Sequence, residues 1–463
     1  MRKTLARQET WQAVNSELWG SVRMNVVQLQ GRNGRGLPGG PKSSTIASLD
    51  IGSTKITCLI AEQRHGMSKS AAEQRGTLKV LGFGQTAARG IRVGAVVDVN
   101  AAECAIRIAV DAAERMAETS ISDVYVAMTG GRPGSVSFSG RVLTQTGVVS
   151  PRDLEFAVSQ ALANVNVGKR TILHLNPVNH TLDGVSNIVQ PLGLHGEELQ
   201  TDIAVTTVDP SGLRNLELAV SRAHLNVAGF VLAPYAAAKS CLTADELELG
   251  TLLIDIGGAM TSIGYVRHGH LVASETIPLG GLHITNDVAQ GLSTTMAHAE
   301  RMKTLWGSVL PDGHDGREML AVPLVGERGV DAVHKVPKSY LTNILRARSE
   351  EIFELVATSL QGPAFANLNL SRVVLTGGTS QLPGIRDLAA DIMGLPVRLG
   401  QAMAVQGLPE IARGPGFAVA VGGLCYAASP DRHYAMPEEA QAQFARSQMG
   451  YVRRMGQWLA EAL

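Results

Sequence analysis

The chain has few aromatic residues, no excess of either charge and no long apolar run, and each shortage removes a class of protein. Phe, Trp and Tyr make up 4% of its 463 residues, and Lys plus Arg equal Asp plus Glu at 41 each. No overall field therefore favours nucleic acid or an anionic surface, and any such attraction must be local. Four cysteines, Cys58, Cys104, Cys241 and Cys425, lie far apart with no CxxC pair. That argues against a zinc site or a disulfide framework and suits a reducing cytoplasm. The most apolar stretches, around residues 228–242 and 418–428, fall short of the roughly 20 residues that span a bilayer, so no transmembrane helix is predicted. What remains, 45% hydrophobic and 18% charged, is a globular composition too long for one core, and two lobes or more are expected.

Against those shortages stand 50 glycines, and some are placed in a repeated device. The segments Ile46 to Ile60 (IASLDIGSTKITCLI) and Leu252 to Val266 (LLIDIGGAMTSIGYV) each read as an apolar strand ending in Asp-Ile-Gly, a tight turn and a second β-rich run. Each is a hairpin whose backbone can approach a phosphate closely. One Asp-x-Gly is a common turn; two with matched flanks suggest a duplicated fold closing on a nucleotide. Asp50 and Asp255 stand at the strand ends, where carboxylates position Mg²⁺ and its waters on a nucleoside triphosphate, so both are candidate catalytic and metal-binding residues. Gly52, Ser53, Thr54 and Lys55 on the first turn, with Gly257 and Gly258 on the second, are the phosphate-facing candidates. Gly377, Gly378 and Thr379, in VVLTGGTSQLPGI, follow an apolar strand and precede a helix, where the sugar and base would lie.

Residues 1–45 carry seven Lys/Arg against Glu9 and Glu17 and end in a Gly/Pro-rich stretch, which reads as a disordered basic arm or an over-extended start before Met24. Residues 46–129 read as a first lobe, with helical periodicity from Glu103 to Glu118 followed by a strand at 124–128. Between 130 and 206 the pattern changes to β-prone pieces around a helix opened by Pro151, an inserted α+β module expected to mediate self-association or recruitment. Residues 207–428 read as a second lobe, with a return to the first at the end. A polar linker, 429–448, would span on the order of 25 Å if flexible. Residues 449–463 form a helical wheel on which Val452, Met455, Trp458, Leu459 and Leu463 share an apolar arc of roughly 140° with Arg453 and Arg454 beside it, the pattern of an interfacial membrane helix.

These motifs resemble the actin-like ATPase superfamily, and within it the FtsA family of bacterial cell division proteins. The resemblance covers about residues 46–428 plus the terminal helix, and is carried by LDIGSTKITCLIAE, by the segment from Leu81 to Ala117, by VVLTGGTSQLPGIRDLAADIMGLPVRLG and by the module near residue 130. It implies an α/β fold: an actin-like, two-lobed duplication of ribonuclease H-like cores with an inserted subdomain, 1C, and a C-terminal amphipathic helix. It also implies ATP and Mg²⁺ as cofactors. Ala299 to Lys303 matches the family's Ala-Glu-x-x-Lys helix, whose Glu (here Glu300) bonds ribose hydroxyls and whose Lys (here Lys303) covers the adenine. Arg346 and Arg348 fall where the family's 2B helix meets the tail of FtsZ. The implied partners are FtsZ, further copies of the chain, later membrane proteins of the division complex and anionic phospholipid, with no nucleic acid. The implied place is the cytoplasmic face of the inner membrane at the septum.

The chain departs from the family in two places. The second hairpin reads Asp255-Ile256-Gly257-Gly258-Ala259-Met260 where relatives usually carry Asp-x-Gly-Gly-Gly-Thr, so Met260 removes a hydroxyl. Ala233 precedes Pro234 where Hsp70-like members carry a Glu that helps hold the attacking water. Weak or absent ATPase activity is expected. Other readings are a pilus assembly relative and a sugar-kinase-like phosphotransferase, though no catalytic Asp for the latter is identifiable.

The terminal helix generates a direct test. Glu in place of Trp458 or Leu459 is expected to release the protein from liposomes, because a buried apolar side chain contributes roughly 1.5–3 kcal/mol and a charge adds a desolvation cost. Ala in place of Arg453 and Arg454 should weaken flotation less, and mainly with anionic lipid. Wild-type flotation of both Glu variants would refute the membrane reading of this helix.

Overall fold

The computed structural model describes residues 43–64 and 77–428, apart from 164, 166, 314, 327–332, 367 and 404. The basic arm up to residue 42, the linker and the terminal helix lie outside the described residues, while Ser43 to Thr45, read from the sequence as the end of the arm, already belong to the first strand.

Three antiparallel strands open the first lobe: β1 (Ser43–Ile51), β2 (Lys55–Arg64) and β3 (Leu78–Ala87). A short hairpin, β4 (Ile91–Arg92) with β5 (Ala95–Val96), leads to α1 (Val99–Ala117). The Asp98 carboxylate starts this helix by accepting from the Asn100 and Ala101 N–H groups at 3.0 and 3.1 Å. Ala102, Ala105, Ile106, Ala109, Val110 and Ala113 recur at helical spacing and are buried. The helix lies directly on β3 because Gly82 and Gly84 carry no side chain: a Cβ there would come within 2.1 Å of the Ala113 carbonyl oxygen and 1.9 Å of the Ala109 carbonyl oxygen. Strand β6 (Asp123–Met128) then pairs in parallel with β1.

The inserted module consists of β7 (Gly134–Leu143), α2 (Pro151–Ala163), β8 (Thr171–Leu182) and β9 (Glu198–Val208), with sheet order β7-β9-β8. It has its own small cores, one around Val158, Ala161, Ile172, Ile203 and Val205. Its root is stapled by Arg170, which pairs with Asp209 at 2.9 Å and donates to the Thr207 hydroxyl at 2.8 Å. At its far side it reaches the second lobe, as described below.

After the module, α3 (Pro210–Arg222) leads to β10 (Asn226–Leu232), which pairs in parallel with β6 and completes a sheet of order β10-β6-β1-β2-β3. The chain thus returns to the first lobe after the insert, and the change of lobe falls beyond β10 rather than at residue 207. Helices α4 (Ala233–Cys241) and α5 (Ala244–Leu249) make that crossing.

The second lobe repeats the first. Strands β11 (Thr251–Ile256), β12 (Thr261–Arg267) and β13 (His270–Ile277) are antiparallel. Then come α6 (Gly281–Gly291), α7 (Met296–Trp306), the hairpin β14 (Met319–Pro323) and β15 (Val333–Pro337), and α8 (Lys338–Leu360). Strand β16 (Val373–Thr376) pairs in parallel with β11, and β17 (Val397–Leu399), after α9 (Ile385–Met393), pairs in parallel with β16. The order β17-β16-β11-β12-β13 matches β10-β6-β1-β2-β3 strand for strand.

Between the sheets lie α4 and α10 (Ala418–Ala428). The Ser240 hydroxyl donates to the Ala418 carbonyl at 2.7 Å, and the Ser48 hydroxyl of β1 donates to the Ala420 carbonyl at 3.2 Å. The module meets the other lobe at β13: the Ser274 N–H donates to the Ser135 hydroxyl at 3.0 Å, and the Asn176 side-chain amide donates to the Leu271 carbonyl at 3.1 Å. Among the described residues no helix is long and apolar enough to cross a membrane, and all four cysteines are free thiols.

The contact between α4 and α10 leaves no room for a methyl group. A Cβ on Gly422 would fall 1.7 Å from the Ala236 carbonyl oxygen. Gly422→Ala is therefore expected to destabilise the protein by about 1–3 kcal/mol beyond the helix-propensity gain of about 1 kcal/mol, read as a lower denaturant midpoint. An unchanged midpoint would show that the helices part easily.

Candidate functional site

The two glycine turns have the same geometry. In the first, the Gly52 N–H donates to the Lys55 carbonyl at 3.1 Å; in the second, the Gly257 N–H donates to the Met260 carbonyl at 2.9 Å. Both follow the end of the central strand of their sheet, so Asp50 and Asp255 arrive at the same place from opposite lobes. The tips touch: a Cβ on Gly258 would lie 2.2 Å from the Thr54 methyl group. Ser53 is tied to the first lobe by accepting from the Gly94 N–H at 3.1 Å.

A cavity of about 610 Å³ opens between the lobes. On its wall lie Asp50, Gly52, Ser53, Thr54 and Lys55 from the first hairpin, and Asp255, Gly257 and Gly258 from the second. Glu300 and Lys303 of α7 and the loop of Gly377, Gly378 and Thr379 complete it. The structure thus brings these thirteen residues together. The Thr379 hydroxyl donates to the Gly257 carbonyl at 3.0 Å, while the Gly281 and Leu282 N–H groups at the start of α6 donate to the Gly257 and Gly258 carbonyls at 2.9 and 2.7 Å. Lys303 pairs with Glu300 at 2.7 Å and donates to the Thr285 hydroxyl at 2.8 Å, joining α6 to α7 along the wall.

Electrostatically the cavity is strained. Burial pushes the Asp50 carboxyl up to about 6, with Lys55 partly offsetting it. Burial, and then the charge of Asp50, push Asp255 up to about 7, again against Lys55. Burial holds the Lys55 ammonium below its ordinary range, opposed by both carboxylates. Two desolvated carboxylates facing a cavity suit a divalent cation that takes its remaining ligands from phosphate oxygens and water. Among the described residues no group of three or more His, Cys, Asp or Glu could hold a metal on its own. Gly378 faces open space, with nothing within 4 Å of a Cβ built there, whereas a Cβ on Gly377 would strike the Asp255 carboxylate at 2.4 Å. The donor set and the bare glycine wall accommodate a nucleotide with its cation.

Met260 does line the cavity, but it is buried, and its sulfur lies 3.0 Å from a Cβ built on Gly94, packing the second hairpin against the first lobe. Arg346 and Arg348 are not on the cavity wall. Arg346 pairs with Glu350 at 2.7 Å, and Arg348 pairs with Asp287 at 2.5 Å and with Glu351, so both guanidinium groups are engaged by their own lobe. Sequence reasoning missed Thr129, Gln381, Pro415 and Gly416, which also line the cavity. Each sits in or beside a glycine stretch, Gln381 within the TGGTSQ segment, Thr129 just before Gly130 and Gly131, and Pro415 and Gly416 after Gly414, but glycines in themselves do not say that the segment faces the cavity.

A family model described as "Cell division protein FtsA" matches residues 252–422, and one described as "SHS2 domain inserted in FTSA" matches residues 130–207. Cell division protein FtsA of Agrobacterium fabrum is 38% identical over 422 residues, covering 91% of this chain and 95% of its own. That of Pseudomonas aeruginosa is 32% identical over 381 residues, 82% of this chain and 88% of its own. That of Escherichia coli strain K12 is 29% identical over 419 residues, 89% and 97%. Among solved structures, the PilM-PilN type IV pilus biogenesis complex is similar with a TM-score of 0.56 at 17% identity, covering 84% of this chain and 100% of that one. The fold is the actin-like, two-lobed one with an SHS2 insert.

A carboxyl whose native pKa lies above its unfolded value of 3.8 supports folding only while protonated. That contribution is complete below about pH 4 and is lost as pH rises through the folded values. Without nucleotide and in chelator, stability is expected to fall between pH 5.5 and 8 by on the order of 2 kcal/mol. Asp255→Asn should flatten the dependence and raise the denaturant midpoint at pH 8. An Asp255→Asn protein with wild-type pH dependence would show that these carboxylates are not desolvated.

Proposed function

The chain belongs to the FtsA family of cell division proteins, and from that membership we propose that it is a nucleotide-dependent division adaptor. It binds ATP with Mg²⁺ between the lobes, associates into actin-like filaments and tethers FtsZ polymers to the cytoplasmic face of the inner membrane at the septum. The terminal helix supplies the membrane contact on anionic phospholipid. Arg346 and Arg348 receive the FtsZ tail by exchanging their present carboxylate partners for those of the tail. The inserted module contributes to self-association and to recruiting later division proteins. One interfacial helix binds weakly, but several on one polymer act together, which couples assembly to membrane recruitment.

The observation that carries the nucleotide part is the convergence of two desolvated carboxylates, one lysine and a side-chain-free glycine wall on one interlobe cavity. Asp50 and Asp255 orient the hydrated cation, which neutralises charge on the phosphates when bound. Lys55 and the turns at Gly52 and Gly257 face the phosphates, Glu300 takes ribose hydroxyls, Lys303 covers the base, and the Gly377–Thr379 loop lies along the nucleoside. Turnover is slow or absent. Met260 offers no hydroxyl to a phosphate or a water, and Ala233 offers no carboxylate to a nucleophile.

Gly378→Val tests this reading without disturbing the protein, since its side chain projects into empty space. ATP affinity by calorimetry is expected to fall at least roughly tenfold while the melting temperature holds, because the added branches occupy volume the nucleoside needs. Unchanged affinity places the nucleotide elsewhere. Co-pelleting of wild-type protein with FtsZ and with anionic liposomes checks the adaptor part, and failure in both would leave only a nucleotide-binding relative.

A further inference from the structure

We propose that Phe417 is a positioning residue for Lys55: its ring face holds the lysine ammonium in place for a polyphosphate. This rests on the nucleotide reading above and deepens it. Lys55 begins β2 immediately after the first glycine turn, and its Nζ stands 3.4 Å from the centre of the Phe417 ring. Among the described residues its ammonium makes no hydrogen bond and has no carboxylate at ion-pairing distance. The ring face is therefore its closest compensating contact, with Asp50 and Asp255 acting through their field. A cation removed from water and set against an aromatic face is held in direction as well as in charge.

The ring in turn is fixed from both lobes. It packs edge-on against Phe83 of β3, with centroids 5.8 Å apart and planes at 63°. It closes the 3₁₀ turn Pro415–Phe417, whose Pro415 carbonyl accepts from the Gly377 N–H at 3.3 Å and from the Thr376 hydroxyl at 3.2 Å. Gly416, between them, leaves the approach open: a Cβ there would sit 3.3 Å from Lys55 Nζ. The direction of the Lys55 ammonium is thus set by a ring that one lobe packs and the other lobe's glycine loop anchors. The alternative is that Phe417 merely fills space among Ala412, Ala420 and Val421, its neighbours in one apolar cluster.

The test uses the full-length protein and its Phe417→Leu and Phe417→Tyr variants, the first keeping apolar bulk without a ring and the second keeping the ring. Affinities for ATP and for adenosine are measured by calorimetry, and the Lys55 ε-methylene signal is followed in lysine-labelled protein, assigned by its loss in Lys55→Met. Phe417→Leu should bind ATP roughly three- to tenfold more weakly with adenosine affinity unchanged. Its Lys55 signal should lose the ring-current shift, and Phe417→Tyr should keep both properties. Equal weakening toward ATP and adenosine, or a Lys55 signal at its ordinary position in the wild type, overturns the role of the ring. Wild-type protein that binds no ATP overturns the nucleotide reading and this proposal with it, whereas ATP binding unaffected by Phe417→Leu overturns the proposal alone.

Discussion

Two carboxylates are brought to one desolvated point by two separate sheets, and the interlobe contacts described here are arranged around holding them there. Burial raises the proton affinity of both carboxylates, the charge of Asp50 raises that of Asp255 further, and Lys55 offsets them only in part. The pair does not close the cleft; it opposes closure. Closure is held by groups outside the charged point: the Ser240 and Ser48 hydroxyls on the α10 carbonyls, the glycine contact between α4 and α10, the Thr54 methyl against Gly258, and the Met260 thioether beside Gly94. A chain arranged in this way has its lobes together and its charge uncompensated, the condition in which an incoming cation with an anionic ligand gains most from entering.

Much of this was legible because the informative signals were local. An apolar strand, Asp-x-Gly and a second strand occupy fifteen consecutive residues, and a hairpin needs nothing more distant to be recognised. The helical periodicity around Ala102 to Ala113 and the proline opening α2 are equally local. The duplication could be read from two such segments, and the match to the actin-like fold followed from it.

What escaped the sequence was fixed by pairings across long separations. Strand β10 is as apolar as any strand of the second lobe, and nothing in its residues says that it pairs with β6 about a hundred positions earlier. The same holds for Phe417, more than 350 residues after the lysine it touches. Met260 read only as a lost hydroxyl, because the hairpin alone does not reveal Gly94, the neighbour whose missing side chain leaves space beside the sulfur. Arg346 and Arg348 were placed by the resemblance alone, and only the fold supplies Asp287, from a different helix, as a partner of Arg348.

The attachment of the inserted module at β13 has a consequence for how this molecule meets others of its kind. A strand at the end of a sheet carries main-chain donors and acceptors that any passing strand can use, and such borders are where sheets of different molecules fuse. Here the Ser274 donor and the Leu271 acceptor are already taken by Ser135 and Asn176 of the molecule's own insert. At those positions the second sheet cannot grow by borrowing a strand. A strand that approaches this border must therefore meet side chains of the insert there, and not a continuous ladder of free backbone groups.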